Sequence, residues 1–79
     1  MTTESVYALF CDIDLRQHII DTAKRLSGNK KVQKDLVGHA WYRLGEADGQ
    51  KTMAYYKQMC SLFMERRRLL IMYREVFIT

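Results

Sequence analysis

The chain contains no proline, and its four glycines fall at Gly28, Gly38, Gly45 and Gly49. These two residue types are the strongest breakers of a helical ladder, so the stretches between those points are free to run as long helices. From Gln50 to Thr79 neither residue occurs. Hydrophobic residues make up 48% and charged residues 28%, the balance of a folded helical domain rather than of a disordered tail. A chain of 79 residues buries only about 60% of its unfolded surface, which supports one core and not two. The expectation is an all-α fold, a small three- to four-helix bundle, with residues 1–79 as a single domain.

Periodicity places the helices. Thr2, Thr3 and Ser5 offer hydroxyl caps for a first helix whose apolar residues Val6, Leu9, Phe10 and Ile13 recur at helical spacing. Asp14 and Gln17 match a capping box, so a break or kink is expected near Asp12-Ile13-Asp14. The apolar set then continues through Leu15, Ile19, Ala23 and Leu26, as one long helix or two short ones. It ends at Ser27-Gly28-Asn29, where glycine can supply a left-handed cap. From Lys31 to Gly45, Val32, Leu36, Val37, Ala40, Trp41 and Leu44 fall on one face, with Trp41 a core anchor; Lys34, Asp35, His39 and Tyr42 lie away from it. Gly38, in the interior of this helix, costs roughly 1 kcal/mol against alanine and calls for a compensating reason such as close packing. A short loop with Asp48-Gly49 leads to a third helix from Lys51 or Thr52. Its apolar positions Met53, Tyr56, Met59, Cys60, Phe63, Leu70 and Tyr73 are interrupted by Arg66-Arg67-Arg68. Three consecutive arginines cover most of a helix circumference, so at least one must sit at the core edge with its stem packed.

The net charge is +4, with the basic excess downstream of residue 28 in Lys30, Lys31, Lys34 and the three arginines, which favours an anionic partner. Cys11 and Cys60 have no Cys-x-x-Cys spacing and read as reduced, core or near-core residues. The N-terminus has no basic start followed by an apolar run, and Leu69–Met72 is too short to span a membrane, so a cytoplasmic protein is expected. His18 and His39 read as surface residues; neither has a second ligand at metal spacing, so no metal and no cofactor are expected. No nucleophile, acid–base pair or phosphate loop converges, which argues against an enzyme.

Arg25-Leu26-Ser27-Gly28-Asn29, then Asp35-Leu36-Val37, then Ala40-Trp41-Tyr42-Arg43-Leu44 resemble the second region of bacterial extracytoplasmic-function sigma factors. That family typically reads Arg-Leu-Thr-Gly-Asp, then Asp-Leu-Val-Gln-Glu-Ala and an aromatic before Arg-Leu, without a gap. Its Gln-Glu pair is Gly38-His39 here, and the tryptophan that usually opens its third helix corresponds most nearly to Ala54. The resemblance implies a helical domain that binds the clamp helices of RNA polymerase core through its central helix, here Asp35, His39, Tyr42 and Arg43. It also implies that the third helix, here Tyr55, Tyr56, Lys57, Arg66, Arg67 and Arg68, meets single-stranded promoter DNA. Stacking on aromatics and phosphate neutralisation would hold the strand. The family's second, helix-turn-helix domain has no counterpart in these 79 residues, so an autonomous sigma factor would be incomplete.

Tyr55 and Tyr56 are adjacent, so at most one of them can be well buried. Leu69-Leu70-Ile71-Met72, followed by Val76-Phe77-Ile78, is more apolar than a free terminal helix requires, and a homodimer through this segment is the favoured reading. Two functions are therefore expected to compete. One is a sigma-like domain binding polymerase, promoter DNA or both; the other is a small helical protein-protein interaction module that keeps the fold without sigma activity.

Overall fold

The computed structural model describes residues 8–47 and 50–77, the side chains of residues 75–77 excepted. The expected caps Thr2, Thr3 and Ser5, the apolar Val6, the Asp48-Gly49 turn and Ile78 lie outside the described residues, as do the side chains of Val76 and Phe77. Residues 8–11 are helical. They lead into α1 (Ile13–Leu26), α2 (Lys30–Leu44) and α3 (Met53–Phe77). Among the described residues there is no strand; the chain is an all-α bundle in which each of α1, α2 and α3 packs on the other two.

Polar caps set the element boundaries. The break before α1 falls where it was expected, but Asp12 makes it, not Asp14: the Asp12 carboxylate accepts from the Leu15 amide at 2.8 Å. Between α1 and α2 the turn uses no left-handed glycine. Ser27 closes α1 in an extended conformation, its Oγ accepts from the Asn29 amide at 3.1 Å, and Asn29 caps α2 by accepting from Lys31 and Val32. The Gln33 side-chain amide then donates to the Ser27 carbonyl at 2.7 Å, tying the turn to the first coils of α2. Thr52 opens α3, its Oγ1 accepting from the Tyr55 amide at 3.1 Å.

The core is three rows at i, i+4, i+8 spacing, the separation that stacks side chains on one helix face. Leu15, Ile19 and Ala23 of α1, Leu36, Ala40 and Leu44 of α2, and Tyr56, Cys60 and Met64 of α3 are all 0–1% exposed. The buried Tyr56 hydroxyl accepts from the Lys51 amide at 3.0 Å, so its burial leaves no orphaned oxygen. Trp41 is half-buried at the edge of the core, its ring 5.3 Å from that of Phe10. Side-chain contacts give the directions: His18 meets Lys57 and Ser61 on α3, whereas Asp35 meets Arg67, so α1 and α3 run the same way and α2 runs against both. At 1.5 Å per residue α3 is about 37 Å long against about 21–23 Å for its neighbours, and its last turns overhang them.

Three expectations are corrected. Cys11 is exposed rather than near-core, while Cys60 is fully buried, its thiol pushed up to about 11 by burial; both are free. His18 is not a surface residue but an interhelical staple, its Nε2 lying 3.0 Å from the Lys57 carbonyl oxygen and 2.8 Å from Ser61 Oγ. A carbonyl only accepts, so Nε2 carries the proton. Gly38 has no close packing among the described residues: a Cβ built there meets none of their atoms within 4 Å.

The Gly38→Ala variant should therefore be more stable by about 0.5–1 kcal/mol, because alanine removes glycine's backbone entropy cost without a clash. Thermal melting followed by circular dichroism reads this as a rise of several degrees in a domain of this size; a fall would mean that the Gly38 backbone makes a contact the fold depends on. Native protein should take up one equivalent of a thiol reagent quickly, at Cys11, and a second only in denaturant.

Candidate functional site

The polymerase-contact candidates divide into two groups. Asp35, His39 and Arg43 follow one another at four-residue steps along α2 and form the edge that meets α3. Arg67 of α3 donates to Asp35 from Nε at 3.0 Å and from Nη2 at 3.2 Å, a two-pronged pair with both side chains more than a third exposed. The His39 ring stands edge-on to Phe63 at 6.5 Å, and the Arg43 guanidinium lies 4.7 Å over the same ring while pairing with Glu46 at 3.8 Å. Asp35 and His39 thus belong to a half-buried seam between α2 and α3 rather than to an open flank. Tyr42 lies off this edge and is 63% exposed.

Electrostatics in the seam act on His39. Its pKa is lowered, first by burial and then by the positive charges of Arg67 and Arg43, with Asp35 pulling the other way. The neutral ring is therefore the form the folded seam prefers.

The DNA-contact candidates do not share a face. Tyr56 is 1% exposed and serves as a core residue, so it offers no stacking surface, and Arg67 is occupied by Asp35. Arg67 is the arginine that the triple run required at the core edge. Arg68 lines a hollow of about 210 Å³ with Leu26, Ser27, Asn29 and Val32, on the side of α3 turned toward the α1–α2 turn. The Lys57 backbone faces the same side, through His18. Tyr55, 47% exposed, and Arg66 point outward, away from the bundle.

A surface that periodicity did not single out lies between α1 and α2. Ile20, Ala23, Val37 and the bare backbone of Gly38 form the floor of an open groove of about 450 Å³, and Lys24, Lys30 and Lys34 stand around its rim with Gln33. Among the described residues no carboxylate lines it, and none of the three lysines has an ion-pair partner. The signal was present in the sequence as a glycine in mid-helix flanked by lysines at one and two turns upstream. It becomes legible only when α1 contributes Ile20 and Lys24 from the other side.

Among the described residues no group of three His, Cys, Asp or Glu side chains could hold a metal ion, and no helix is long and apolar enough to cross a membrane. No family model matches this chain, and no curated protein or solved structure matches it either.

The lowered His39 pKa has a definite sign. Below about pH 6.5 the unfolded chain holds a proton on His39 that the folded seam rejects, so this group's contribution to stability is complete above that pH. It is lost as pH falls from there through the lowered folded value. Urea denaturation of wild type and His39→Gln across pH 5 to 7 should show a flatter pH dependence in the variant; parallel curves would remove His39 from the account. A double-mutant cycle on Asp35→Ala and Arg67→Ala should return a coupling of at most about 1 kcal/mol, since solvent and salt screen a pair this exposed.

Proposed function

We propose that this chain is a non-catalytic, sigma-factor-like domain acting in transcription, which docks on RNA polymerase core by seating a helix with apolar and acidic side chains in the groove between α1 and α2. The observation that carries this reading is Gly38. A glycine in a helix interior costs stability, none of the described residues crowds its missing Cβ, and it opens the floor of the one groove described here that combines an apolar base with unpaired cations. Close backbone approach by a partner is a use of glycine that fits all three facts.

The sequence resemblance supports the same helix. Asp35-Leu36-Val37 corresponds to the start of the motif through which the sigma family binds the polymerase clamp, and Gly38 stands where that motif carries glutamine. The loss of a polar side chain at 38 is matched by apolar Ile20 and Val37 on either side and by three lysines above them. Recognition would then run through hydrophobic contact with the floor and charge complementarity at the rim, rather than through an amide at position 38. Asp35 and His39 act within the domain in this reading, holding α2 against α3 so that the groove keeps its shape.

Immobilised RNA polymerase core distinguishes the alternatives. Gly38→Leu should bind at least tenfold more weakly than wild type while melting no lower, because leucine fills the groove and improves the helix. Lys24→Glu with Lys34→Glu should weaken binding in a salt-dependent way. Equal retention of wild type and Gly38→Leu would count against the groove. Failure of wild type to bind core at all would leave the helical interaction module as the better description. Single-stranded oligonucleotide binding that falls with salt and vanishes on Arg66→Ala would instead support the DNA reading.

A further inference from the structure

Between Thr22 and Lys34 the sequence carries Lys24, Arg25, Lys30, Lys31 and Lys34 and no carboxylate. Lys30 and Lys31 occupy the first turn of α2, which holds no acidic residue. A helix N-terminus favours negative side chains, so this placement works against the stability of α2 and leaves the turn end of the bundle strongly positive. The α1–α2 groove takes Lys24, Lys30 and Lys34. Arg25 and Lys31 lie outside it, exposed, at the end of α1 and the start of α2.

The same end of the molecule carries an apolar arc on α3. Leu69, Leu70, Met72 and Tyr73 are 60%, 60%, 44% and 59% exposed. At about 100° per residue they span about 160° of the helix circumference, and Arg68 and Arg74 stand about 40° beyond its two edges. Arg68 faces the α1–α2 turn, where it lines the hollow with Ser27 and Asn29. Arg74 follows Arg67 by seven residues, on the side that meets α2. Among the described residues none of Arg25, Lys31, Arg68 and Arg74 has an ion-pair partner. The nearest acids in α1 and α2 are engaged, Asp21 by Gln17 and Asp35 by Arg67, and Glu65 is set back by one turn from Leu69 toward the middle of α3.

An apolar arc with cations on both margins selects its occupant. The phosphates of a nucleic acid would pair with the four cations but leave two leucines and a methionine in water, and base stacking needs aromatic rings, of which the arc holds one. An anionic lipid surface meets both demands: acyl carbons cover the arc, and long basic side chains at its margins reach the headgroup phosphates. We propose that this end of the bundle binds one face of an anionic bilayer, with Leu69, Leu70, Met72 and Tyr73 at the boundary of headgroups and acyl chains and Arg25, Lys31, Arg68 and Arg74 on lipid phosphates. No described helix is long and apolar enough to cross a membrane, so the end of α3 lies in the interface rather than through it. None of the groove residues takes part, and the surface does not depend on what that groove binds.

Co-sedimentation of the intact chain with vesicles tests this. Vesicles of equimolar phosphatidylglycerol and phosphatidylcholine should bind the chain at least tenfold more tightly than vesicles of phosphatidylcholine alone at about 100 mM salt. Equal affinity for the two, or binding to neither, would overturn the proposal. Leu69→Gln with Leu70→Gln should weaken binding to the anionic vesicles at least tenfold with unchanged helical circular dichroism, because both side chains are outside the core. Binding that this pair leaves intact would mean that phosphate charge alone is read, and would overturn the lipid assignment in favour of a polyanion such as nucleic acid. Arg25→Glu with Lys31→Glu should also weaken binding at least tenfold, by a margin that shrinks as salt rises to about 500 mM. An unchanged affinity in that variant would remove the turn from the surface and overturn the proposal.

Discussion

Three rows of side chains, each at i, i+4, i+8, carry the whole fold. Leu15, Ile19 and Ala23 meet Leu36, Ala40 and Leu44, and Tyr56, Cys60 and Met64 close the third side, all essentially inaccessible to water. Rows at four-residue spacing form ridges that interlock with neighbouring helices, so the choice of these positions fixes which edge of each helix faces which neighbour. The alanines at 23 and 40 matter as much as the larger residues. They let the helices approach closely while contributing little volume, which keeps the core narrow and leaves the outer faces of α1, α2 and α3 as a large share of the molecule.

That geometry explains what the sequence made legible. Helix count, the break near Asp12, the turn at Ser27-Gly28-Asn29, the start of α3 at Thr52 and the burial of one tyrosine of the Tyr55-Tyr56 pair all follow from local pattern. What pattern could not settle was the two margins of each apolar stripe. Asp35 and His39 sit on the margin of α2 that α3 covers, so residues assigned to an open flank by angle alone lie in a seam with Arg67 and Phe63. His18 sits on the margin of α1 that α3 covers and becomes a staple for the same reason. Polar residues on such margins are half-buried and paired. Whether a margin is covered depends on the placement of a third helix, which no single helix encodes.

The basic character of the chain also divides by position. Arg67 and Arg43 are absorbed by the fold, one by Asp35 and the other by Phe63 and Glu46. Lys24, Lys30 and Lys34 are not, and they gather at one groove. A net charge of +4 therefore understates the local field at the α1–α2 surface, because the carboxylates that offset the total lie elsewhere. Charge counting along the sequence pointed both to Lys30, Lys31 and Lys34 and to the triple arginine. The fold gives each of those arginines a different neighbourhood: Arg67 pairs with Asp35, Arg68 lines the hollow by the α1–α2 turn, and Arg66 is exposed.

Gly38 is the point at which stability and function separate. A domain with so narrow a core has only a few kcal/mol between folded and unfolded, so a helix-interior glycine costing about 1 kcal/mol takes a sizeable fraction of that margin. Glycines that pack against a neighbouring backbone repay the cost within the fold, but this one meets none of the described residues. A local rule broken without structural compensation is where a functional constraint is expected. Any side chain at position 38 would rise from the groove floor between Val37 and the lysine rim. The missing Cβ and the unpaired lysines are therefore parts of one surface, the one that the proposed docking would use.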